Sequence, residues 1–213
     1  MTQTIKTVIL ARGGSKGIPR KNIIDVNGKP LLHYTIEAAK ASKANDVYVS
    51  TDCCAIMRSA IDANANVLMR PKDLAGDNTK SEDALIHFVE TIACDAVVFL
   101  QPTSPLVLSE DIDNAIEMMK DHDSVFSAYK EHWIPRWSCD GKPDGWHPLS
   151  RPMRQDRAGR WVENGAIYIV KRDLLIANRI RYGGQIGIVE MPMHRSFQVD
   201  TMDDLELIKK CLT

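Results

Sequence analysis

This sequence has almost no net charge of either sign, which limits the kinds of molecule that it can bind. The chain has 27 Lys and Arg residues against 28 Asp and Glu residues, so its formal net charge at pH 7 is -1. Proteins that bind nucleic acid or a membrane surface usually carry a basic excess that neutralises phosphates. We therefore expect no nucleic acid and no membrane as the main partner, and an anionic ligand would need a local cluster of cations.

Cysteine pairs and long apolar runs are missing as well. The five cysteines are odd in number and show no CxxC spacing, which predicts reduced thiols and neither a disulfide framework nor a zinc site. Cys53 and Cys54 are expected to be small buried hydrophobes. The apolar run near the N-terminus is too short for a signal peptide, and no run approaches the ~18 apolar residues of a membrane span. These features predict a cytoplasmic protein.

What the sequence does contain is the composition and rhythm of a single α/β domain. Hydrophobic residues make up 44% and charged residues 26% of the 213 residues, as in an ordinary globular protein that buries a core. Short β-branched runs alternate with segments of helical period, which is typical of a mainly parallel sheet with flanking helices. We predict one domain over residues 1–213 with about seven strands.

The predicted elements alternate along most of the chain. Predicted strands cover residues 7–11, 47–51, 67–70, 96–101, 124–129, 166–170 and 186–190. Predicted helices cover residues 31–42, 55–65, 81–93, 110–122, 172–179 and 203–211. Ser81 and Ser109 are predicted to be helix N-caps, because acidic residues follow each of them in the first helical turn.

Residues 131–162 interrupt this alternation. The segment holds all four tryptophans, Trp133, Trp137, Trp146 and Trp161, and has no clear period. A loop of this length inside a compact domain is unusual, and exposed tryptophans are costly to hydrate. We predict that residues 131–162 form an excursion that mediates dimerisation or covers a pocket. A self-packed surface loop is the alternative.

The first predicted strand leads into a glycine-rich loop with a concentration of cations. It reads ARGGSKGIPRKN over residues 11–22, and its cations are Arg12, Lys16, Arg20 and Lys21. Ligands of open α/β sheets bind beyond the carboxyl ends of the strands. Glycines let backbone N–H groups approach a phosphate, and Arg and Lys side chains bind its oxygens. The loop is neither a Walker A nor a GxGxxG motif, and it predicts a triphosphate site.

The same string resembles the signature of the acylneuraminate cytidylyltransferases, the CMP-sialic acid synthetases. The related CMP-Kdo synthetases usually carry a form closer to ARxxSxRLPGK, so the sialic acid branch fits better. Further blocks agree in order along nearly the full chain: STD at 50–52, RP at 70–71, SEDA at 81–84, LQPTSPL at 100–106, RQD at 154–156, ENGAIY at 163–168 and VDT at 199–201. The resemblance implies a fold similar to the nucleotide-diphosphate-sugar transferases.

The resemblance also implies an activity and roles for individual residues. The enzyme would form a CMP-activated nonulosonic sugar from CTP and the free acid sugar, releasing pyrophosphate, and would act as a homodimer. CTP would be bound by Arg12, Gly14, Ser15, Lys21, Asn22, Arg70, Thr79 and Ser81. The sugar would be bound by Gln101, Arg154 and Gln155, and the catalytic residues would be Arg12, Lys21 and Arg154. Asp200 would bind Mg²⁺, with Mn²⁺ as an alternative ion.

Purely structural roles are the alternatives for three of these residues. Ser81 and Asp200 could serve only as helix caps, and Gln101 could be a satisfied buried amide. The sequence identifies no general base and requires no covalent intermediate.

Two positions depart from the pattern of close relatives. Met153 stands where animal relatives have the first of two arginines, so Arg154 or Arg151 would have to take over its work. Gln198 stands where many relatives have the first aspartate of a D-x-D pair, so the metal ion would bind more weakly or with more water. The alternatives are a CMP-legionaminate, CMP-pseudaminate or CMP-Kdo synthetase, or a catalytically impaired nucleotide-binding relative.

Overall fold

The computed structural model describes residues 4–44, 46–132, 134–156 and 158–212. Its strands are β1 (Ile5–Leu10), β2 (Asp25–Val26), β3 (Lys29–Pro30), β4 (Val47–Thr51), β5 (Asn66–Met69), β6 (Ala96–Leu100), β7 (Ser124–Glu131), β8 (Arg136–Trp137), β9 (Pro143–Asp144), β10 (Arg160–Lys171) and β11 (Ile186–Glu190). Its α-helices are α1 (Leu31–Ala41), α2 (Cys54–Asp62), α3 (Ser81–Thr91), α4 (Ser109–Met118), α5 (Arg172–Asn178) and α6 (Met202–Cys211). Within the described ranges, no helix combines the length and the apolar character needed to cross a membrane.

Seven of the strands form one sheet in the order β11-β7-β10-β6-β1-β4-β5, and the other four form two short hairpins. β1 pairs in parallel with β4 and β6, β4 with β5, and β7 with β11. β10 alone runs antiparallel to both of its neighbours, β6 and β7. The prediction of a mainly parallel sheet of seven strands is confirmed. Because β10 is antiparallel, its first half lies at the edge where β6 and β7 end.

Helices cover both faces of this sheet, which buries β6 completely. The residues on the face that packs with α1, α2 and α4 include Ile9, Val49, Val98, Ile36, Ile56 and Ile112. The residues on the face that packs with α3 and α5 include Val8, Val97, Phe99, Leu85, Phe88 and Leu175. Successive residues of β1 and β6 alternate between the two faces, as the pleat of a strand requires. Polar side chains therefore become available to a ligand where these strands end.

Two predicted strands, 124–129 and 166–170, are longer in the structure. β7 continues to Glu131 and β10 begins at Arg160, and these two residues pair with each other. The β7–β10 ribbon therefore extends into the segment for which the sequence showed no clear period. Because this extension of the ribbon carries many polar side chains, the pattern of apolar runs does not predict it.

Three local expectations are wrong. Ser81 and Ser109 are the first helical residues of α3 and α4, and the preceding Lys80 and Leu108 have the extended φ and ψ angles of N-cap positions. Cys54, which was expected to be buried, is exposed at the first position of α2. In each case the predicted start of the helix is correct to within one residue, but the side chain does not have the predicted role or burial.

Part of the excursion of residues 131–162 is self-packed. β8 and β9 pair as a short hairpin, and the rings of Trp137 and Trp146 meet edge to face with their centroids 4.9 Å apart. The indole N–H of Trp146 donates to the carbonyl oxygen of Arg136 at 3.1 Å. These contacts give the segment local structure of its own.

Large apolar side chains of the same excursion nevertheless stay in contact with water. Trp137 is 55% exposed, Met153 60% and Leu149 93%. Trp133 lies outside the described residues. Exposed large apolar side chains that lie close together are a feature of surfaces that bind another protein.

Candidate active site

The carboxyl ends of β1, β5 and β6 open into a cavity of about 340 Å³, here called the first cavity. Its lining comes from the glycine-rich loop after β1, the segment between β5 and α3, and the end of β6. The polar residues of the lining are Arg12, Ser15, Lys16, Lys21, Asn22, Arg70, Asp77, Thr79, Lys80, Ser81, Gln101 and Thr103. The structure thus brings together most of the residues predicted to bind CTP.

The glycine-rich loop is anchored at two points. Ile18 packs with Leu31 of α1 and with Val199, in an apolar cluster separate from the two faces of the sheet. Gly17 passes so close to the main chain of Asp200 that an added Cβ would lie 2.6 Å from its carbonyl oxygen. Only glycine fits at this approach. The loop is therefore held against the chain segment that carries Asp200.

Two side-chain hydrogen bonds fix the turn of the loop. The buried Asn22 donates from Nδ2 to the carbonyl oxygen of Arg12 at 2.9 Å. Asp52, just after β4, accepts the N–H of Gly13 on Oδ1 at 2.8 Å. Asn22, predicted as a CTP ligand, lines the first cavity and also supports the backbone from which Arg12 projects.

Each of the three cations that line the first cavity from this loop is paired with a carboxylate. Asp77 accepts one hydrogen bond from Arg12 at 2.8 Å and forms an ion pair with Lys16 at 3.1 Å, and Lys21 pairs with Asp200 at 2.8 Å. The hydrogen bond from Lys16, followed by that from Arg12, holds the pKa of Asp77 below its usual range. An incoming polyphosphate would have to replace these carboxylates, and its oxygens offer the cations the same kind of partner.

Arg70 is a buried cation in the wall of the first cavity. Its side chain follows β5 and the residue is only 7% exposed. Burial lowers the pKa of Arg70, yet a guanidinium remains charged at neutral pH. Within the described part of the chain, its buried Nε has no hydrogen-bond partner. An unpaired buried cation is costly unless a ligand uses it, so Arg70 is a strong candidate ligand contact.

Two hydroxyls accompany Arg70 at the start of α3. The Thr79 hydroxyl donates to the carbonyl oxygen of Asp73 at 3.1 Å and keeps its lone pairs for a further donor. Ser81 does not cap the helix, and its hydroxyl makes no hydrogen bond to any residue that the structure describes. Its position in the cavity wall therefore leaves it available to a ligand.

A second cavity of about 510 Å³ adjoins the first at the same edge of the sheet. Its polar lining consists of Gln101, Tyr129, Glu163, Asn164, Tyr168, Ser196, Gln198, Asp200 and Asp204, and Phe197 and Val162 are its main apolar residues. Gln101 lines both cavities. Its Oε1 accepts the Thr103 hydroxyl at 3.3 Å, so the amide is oriented between the two spaces.

A bulge in β10 builds one wall of the second cavity. The register of β10 with β7 shifts between Glu163 and Tyr168, and Gly165 has a φ of 73°. Asn164 is buried under the bulge, where its Oδ1 accepts the Ala166 N–H at 3.1 Å and the Ser127 hydroxyl at 2.5 Å. The buried polar group is thus satisfied, and the bulge turns Glu163 toward the cavity.

The acidic residues Asp200 and Asp204 would bind a Mg²⁺ ion only together with oxygen atoms of a bound substrate. The described residues contain no group of three or more metal-binding side chains. One carboxylate oxygen of Asp204 accepts hydrogen bonds from the backbone N–H groups of Asp200 and Thr201 and from the Thr201 hydroxyl. Asp204 is therefore engaged in capping α6. Asp200 remains: its side chain is 65% exposed, it lines the second cavity, and it contacts Lys21 of the first cavity at 2.8 Å. One carboxylate with phosphate oxygens and water is a common Mg²⁺ environment.

The amide of Gln198 has a structural partner on its nitrogen. Nε2 of Gln198 donates to the carbonyl oxygen of Asn164 at 2.6 Å and lies where a Cβ on Gly165 would collide with it. An aspartate at this position could not donate that hydrogen bond. Gln198 thus ties the VDT segment to the bulge of β10.

The predicted sugar contacts Arg154 and Gln155 lie apart from both cavities. They are exposed on the excursion, in a shallow depression with Pro135, Arg151 and Met153. The structure of one chain therefore does not bring them to Gln101. Gly14, predicted beside the triphosphate, is exposed in the loop between two residues that line the first cavity and does not itself line it.

Sequence reasoning missed most of the second cavity. No local pattern in the sequence marks Tyr129, Ser196 or Phe197, and Glu163 and Tyr168 stand out only as parts of the ENGAIY block. The signal that could have found them is the ENG string itself, because a glycine inside a strand often marks a bulge beside a site.

A larger cavity, of about 1100 Å³, lies at the opposite edge of the sheet and is lined by residues such as Glu90, Asp123, Lys171 and Arg172. Its two lining cations pair with carboxylates, Lys171 with Asp123 at 2.6 Å and Arg172 with Asp173 at 3.3 Å, as the loop cations of the first cavity do. Size alone does not identify a site, and ligands of such sheets bind at the carboxyl ends of the strands. We therefore place the active site in the two smaller cavities.

Curated relatives resemble most of the chain. N-acylneuraminate cytidylyltransferase A of Danio rerio is 36% identical over 207 residues, covering 92% of this chain and 48% of the relative. N-acylneuraminate cytidylyltransferase of Streptococcus agalactiae serotype V is 31% identical over 208 residues, covering 92% of this chain and 50% of the relative. The chain thus spans about half the length of the curated relatives it matches.

Solved structures show the same fold. A CMP:2-keto-3-deoxy-manno-octonic acid synthetase in complex with CTP has a TM-score of 0.74 at 19% identity, over 98% of each chain. A 4-diphosphocytidyl-2C-methyl-D-erythritol synthase from Anaerococcus prevotii has a TM-score of 0.72 at 14% identity, over 99% of this chain and 96% of the other. The family model described as cytidylyltransferase matches residues 7–211. With this match over almost its full length, the chain belongs to the cytidylyltransferase family.

Proposed function

We propose that this chain transfers CMP from CTP to an acidic nine-carbon sugar of the sialic acid type and releases pyrophosphate. The observation that carries the proposal is that the cation-lined first cavity and the polar second cavity meet at Gln101. Two substrates would therefore lie side by side at one sheet edge. The names of the relatives supply the substrate class, and the resemblance of the loop over residues 11–22 favours the same choice.

In this reaction the anomeric hydroxyl of the sugar attacks the α-phosphorus of CTP in line with the leaving group. A bond forms between the sugar oxygen and the α-phosphorus, and the hydroxyl proton passes to water. The bond from the α-phosphorus to the oxygen that bridges to the β-phosphate breaks, and pyrophosphate departs. Arg12, Lys16 and Lys21 would hold the phosphates and stabilise the charge that grows on the pyrophosphate. Arg70, Ser81 and other polar groups of the first cavity would bind the nucleoside.

Asp200 is the residue that would hold Mg²⁺, or Mn²⁺ in its place, together with phosphate oxygens of CTP. A bound ion would offset phosphate charge and polarise the α-phosphate. The assignment is supported by the place of Asp200 in the lining of the second cavity and by its contact with Lys21, which lines the first. When the substrates bind, the ammonium group of Lys21 would exchange its contact with Asp200 for a contact with the phosphates.

A homodimer would supply the cation that the second cavity needs for an acidic sugar. The described residues that line it include Glu163, Asp200 and Asp204 but no Lys or Arg. The carboxylate of an acidic sugar needs a cation nearby, because an unpaired buried charge is costly. We propose that the excursion mediates a homodimer and that its Arg154 supplies this charge to the site of the other copy.

A pyrophosphate-release screen tests the proposed function. Each of CTP, ATP, GTP and UTP is combined with N-acetylneuraminic, legionaminic and pseudaminic acids and with Kdo, in the presence of Mg²⁺. We expect turnover with CTP and a sialic acid-type sugar. Turnover with CTP and another acid sugar, but not with N-acetylneuraminic acid, would contradict the proposed substrate and identify that other sugar instead. Binding of CTP without any turnover would identify an impaired relative instead.

The second prediction concerns the cations of the glycine-rich loop. Arg12→Ala or Lys21→Ala should lower kcat/KM by about 10²-fold or more, the scale of losing one preorganised charge contact in catalysis. Thermal melting by circular dichroism should change little, because both side chains contact carboxylates at a partly exposed site.

A matched control is Arg20→Gly, which removes a cation from the same loop outside the cavity. Arg20 has a φ of 55°, a conformation that suits glycine. This variant should retain turnover close to that of the parent. If Arg12→Ala and Lys21→Ala were as active as the control, the triphosphate would have to bind elsewhere.

The third prediction concerns the proposed metal ligand. Asp200→Asn keeps the shape of the side chain and the backbone N–H that donates to Asp204, so the protein should fold normally. Loss of the carboxylate charge should remove most of the activity, with partial rescue by excess Mg²⁺ or Mn²⁺. The measurement is turnover as a function of metal concentration. Full activity of Asp200→Asn at low Mg²⁺ would contradict the assignment.

The fourth prediction concerns assembly. Light scattering of the intact chain should give the mass of a dimer, and Leu149→Glu should convert it to a monomer by placing a charge among the exposed apolar side chains of the excursion. Ile61→Glu is the control, because Ile61 is also a large exposed apolar residue, at 54%, but belongs to α2. A monomeric parent at micromolar concentration would rule out the proposed dimer.

A further inference from the structure

Two tyrosine hydroxyls hold one oxygen of Glu163. Tyr168, on β10, and Tyr182, after α5, both donate to Oε1 of Glu163, the latter at 2.5 Å. Burial, followed by the hydrogen bond to Glu163, raises the pKa of each tyrosine. Both hydroxyls therefore stay protonated at neutral pH and act as donors. A carboxylate that accepts two fixed donors on one oxygen has a defined orientation.

The two tyrosines are themselves fixed by packing and by an ion pair. The guanidinium of Arg181 lies 4.7 Å from the ring centroid of Tyr168, and its Nε donates to Glu82 at 2.7 Å. The rings of Tyr168 and Phe99 stack with centroids 5.5 Å apart, and the ring of Tyr182 meets that of Tyr168 at 6.0 Å. These contacts leave the hydroxyls little freedom to leave Glu163.

The other oxygen of Glu163 is available to a ligand. Glu163 is an exposed residue in the lining of the second cavity, at the start of the bulge in β10. Among the residues that the structure describes, none donates a hydrogen bond to its Oε2. An acceptor that is fixed by one oxygen and open at the other can recognise a donor group of a bound molecule.

The charge of Glu163 restricts what it can bind. A carboxylate repels the acidic end of the proposed sugar, and it favours uncharged groups that carry a hydrogen on oxygen or nitrogen. A nine-carbon acid sugar carries such groups, as hydroxyls and as acylamino N–H groups. Glu163 would therefore contact the sugar away from its carboxylate.

We propose that Glu163 is a specificity-determining residue of the sugar site, whose Oε2 accepts a hydrogen bond from a hydroxyl or acylamino N–H of the sugar. The inference rests on the proposed function, because it assigns the second cavity to the sugar. It extends that function by naming a contact that selects the sugar by its donor groups. Tyr168 and Tyr182 act as positioning residues that hold the carboxylate for this contact.

The test is a comparison of the parent with Glu163→Gln in steady-state kinetics. Glutamine has the same shape and can still accept both tyrosine hydroxyls on its oxygen, but it presents an NH₂ group in place of Oε2. The KM for the sugar should rise by about tenfold or more, the scale of losing a hydrogen bond to a charged group. The kcat and the KM for CTP should stay near the parent values. Tyr182→Phe should raise the KM for the sugar less, because Tyr168 still holds the carboxylate.

Sugar analogues identify the donor group. An analogue that lacks the contacted hydroxyl or N–H should have nearly the same KM with the parent and with Glu163→Gln, whereas other analogues should remain sensitive to the substitution. An unchanged KM for every sugar in Glu163→Gln would overturn the inference and leave the proposed function in place. A parent that turns over no acid sugar at all would refute the proposed function, and the inference with it. If Glu163→Gln melts far below the parent, the kinetics of Tyr182→Phe decide, and an unchanged KM there overturns the inference.

Discussion

The parallel pairing of β1 with β6 is the constraint on which the rest of the site depends. Ile9 lies opposite Leu100 at the ends of the two strands, so the glycine-rich loop and Gln101 leave the sheet side by side. Antiparallel β10 brings its first half to the same edge, with Ile167 opposite Leu100. Segments that are distant in sequence therefore meet at one edge of a buried sheet. Each supplies a different chemistry: cations from the loop, an amide from Gln101, and a carboxylate from the bulge of β10.

The electrostatics of this edge explain how a nearly neutral protein can bind a polyphosphate. The loop cations are held by Asp77 and Asp200, both of which are substantially exposed to water. Exposed ion pairs contribute little to stability, so their exchange for phosphate oxygens has a low cost. Binding would then replace one set of ion pairs by another. Selection of the nucleotide would depend on the placement of Arg70 and the hydroxyls, and of the sugar on Glu163.

The sequence predicted the sheet and the first cavity because their signals are local. Apolar runs marked the central strands, and the glycines and cations of residues 11–22 marked the loop. The second cavity could not be predicted in the same way, because a bulge at Gly165 and contacts across long sequence separations create it. The hydrogen bond from Gln198 to Asn164 spans two such segments. The family resemblance also does not tell whether Arg154 would contribute to the active site of its own chain or to that of a second copy.

The most direct test of this account is a crystal structure of the protein with CTP and Mg²⁺. The account predicts the triphosphate against Arg12 and Lys21, the nucleoside beside Arg70, and the second cavity free of nucleotide. Asp77 should no longer contact Arg12. A nucleotide bound at the opposite edge of the sheet, with the contact between Arg12 and Asp77 intact, would contradict it.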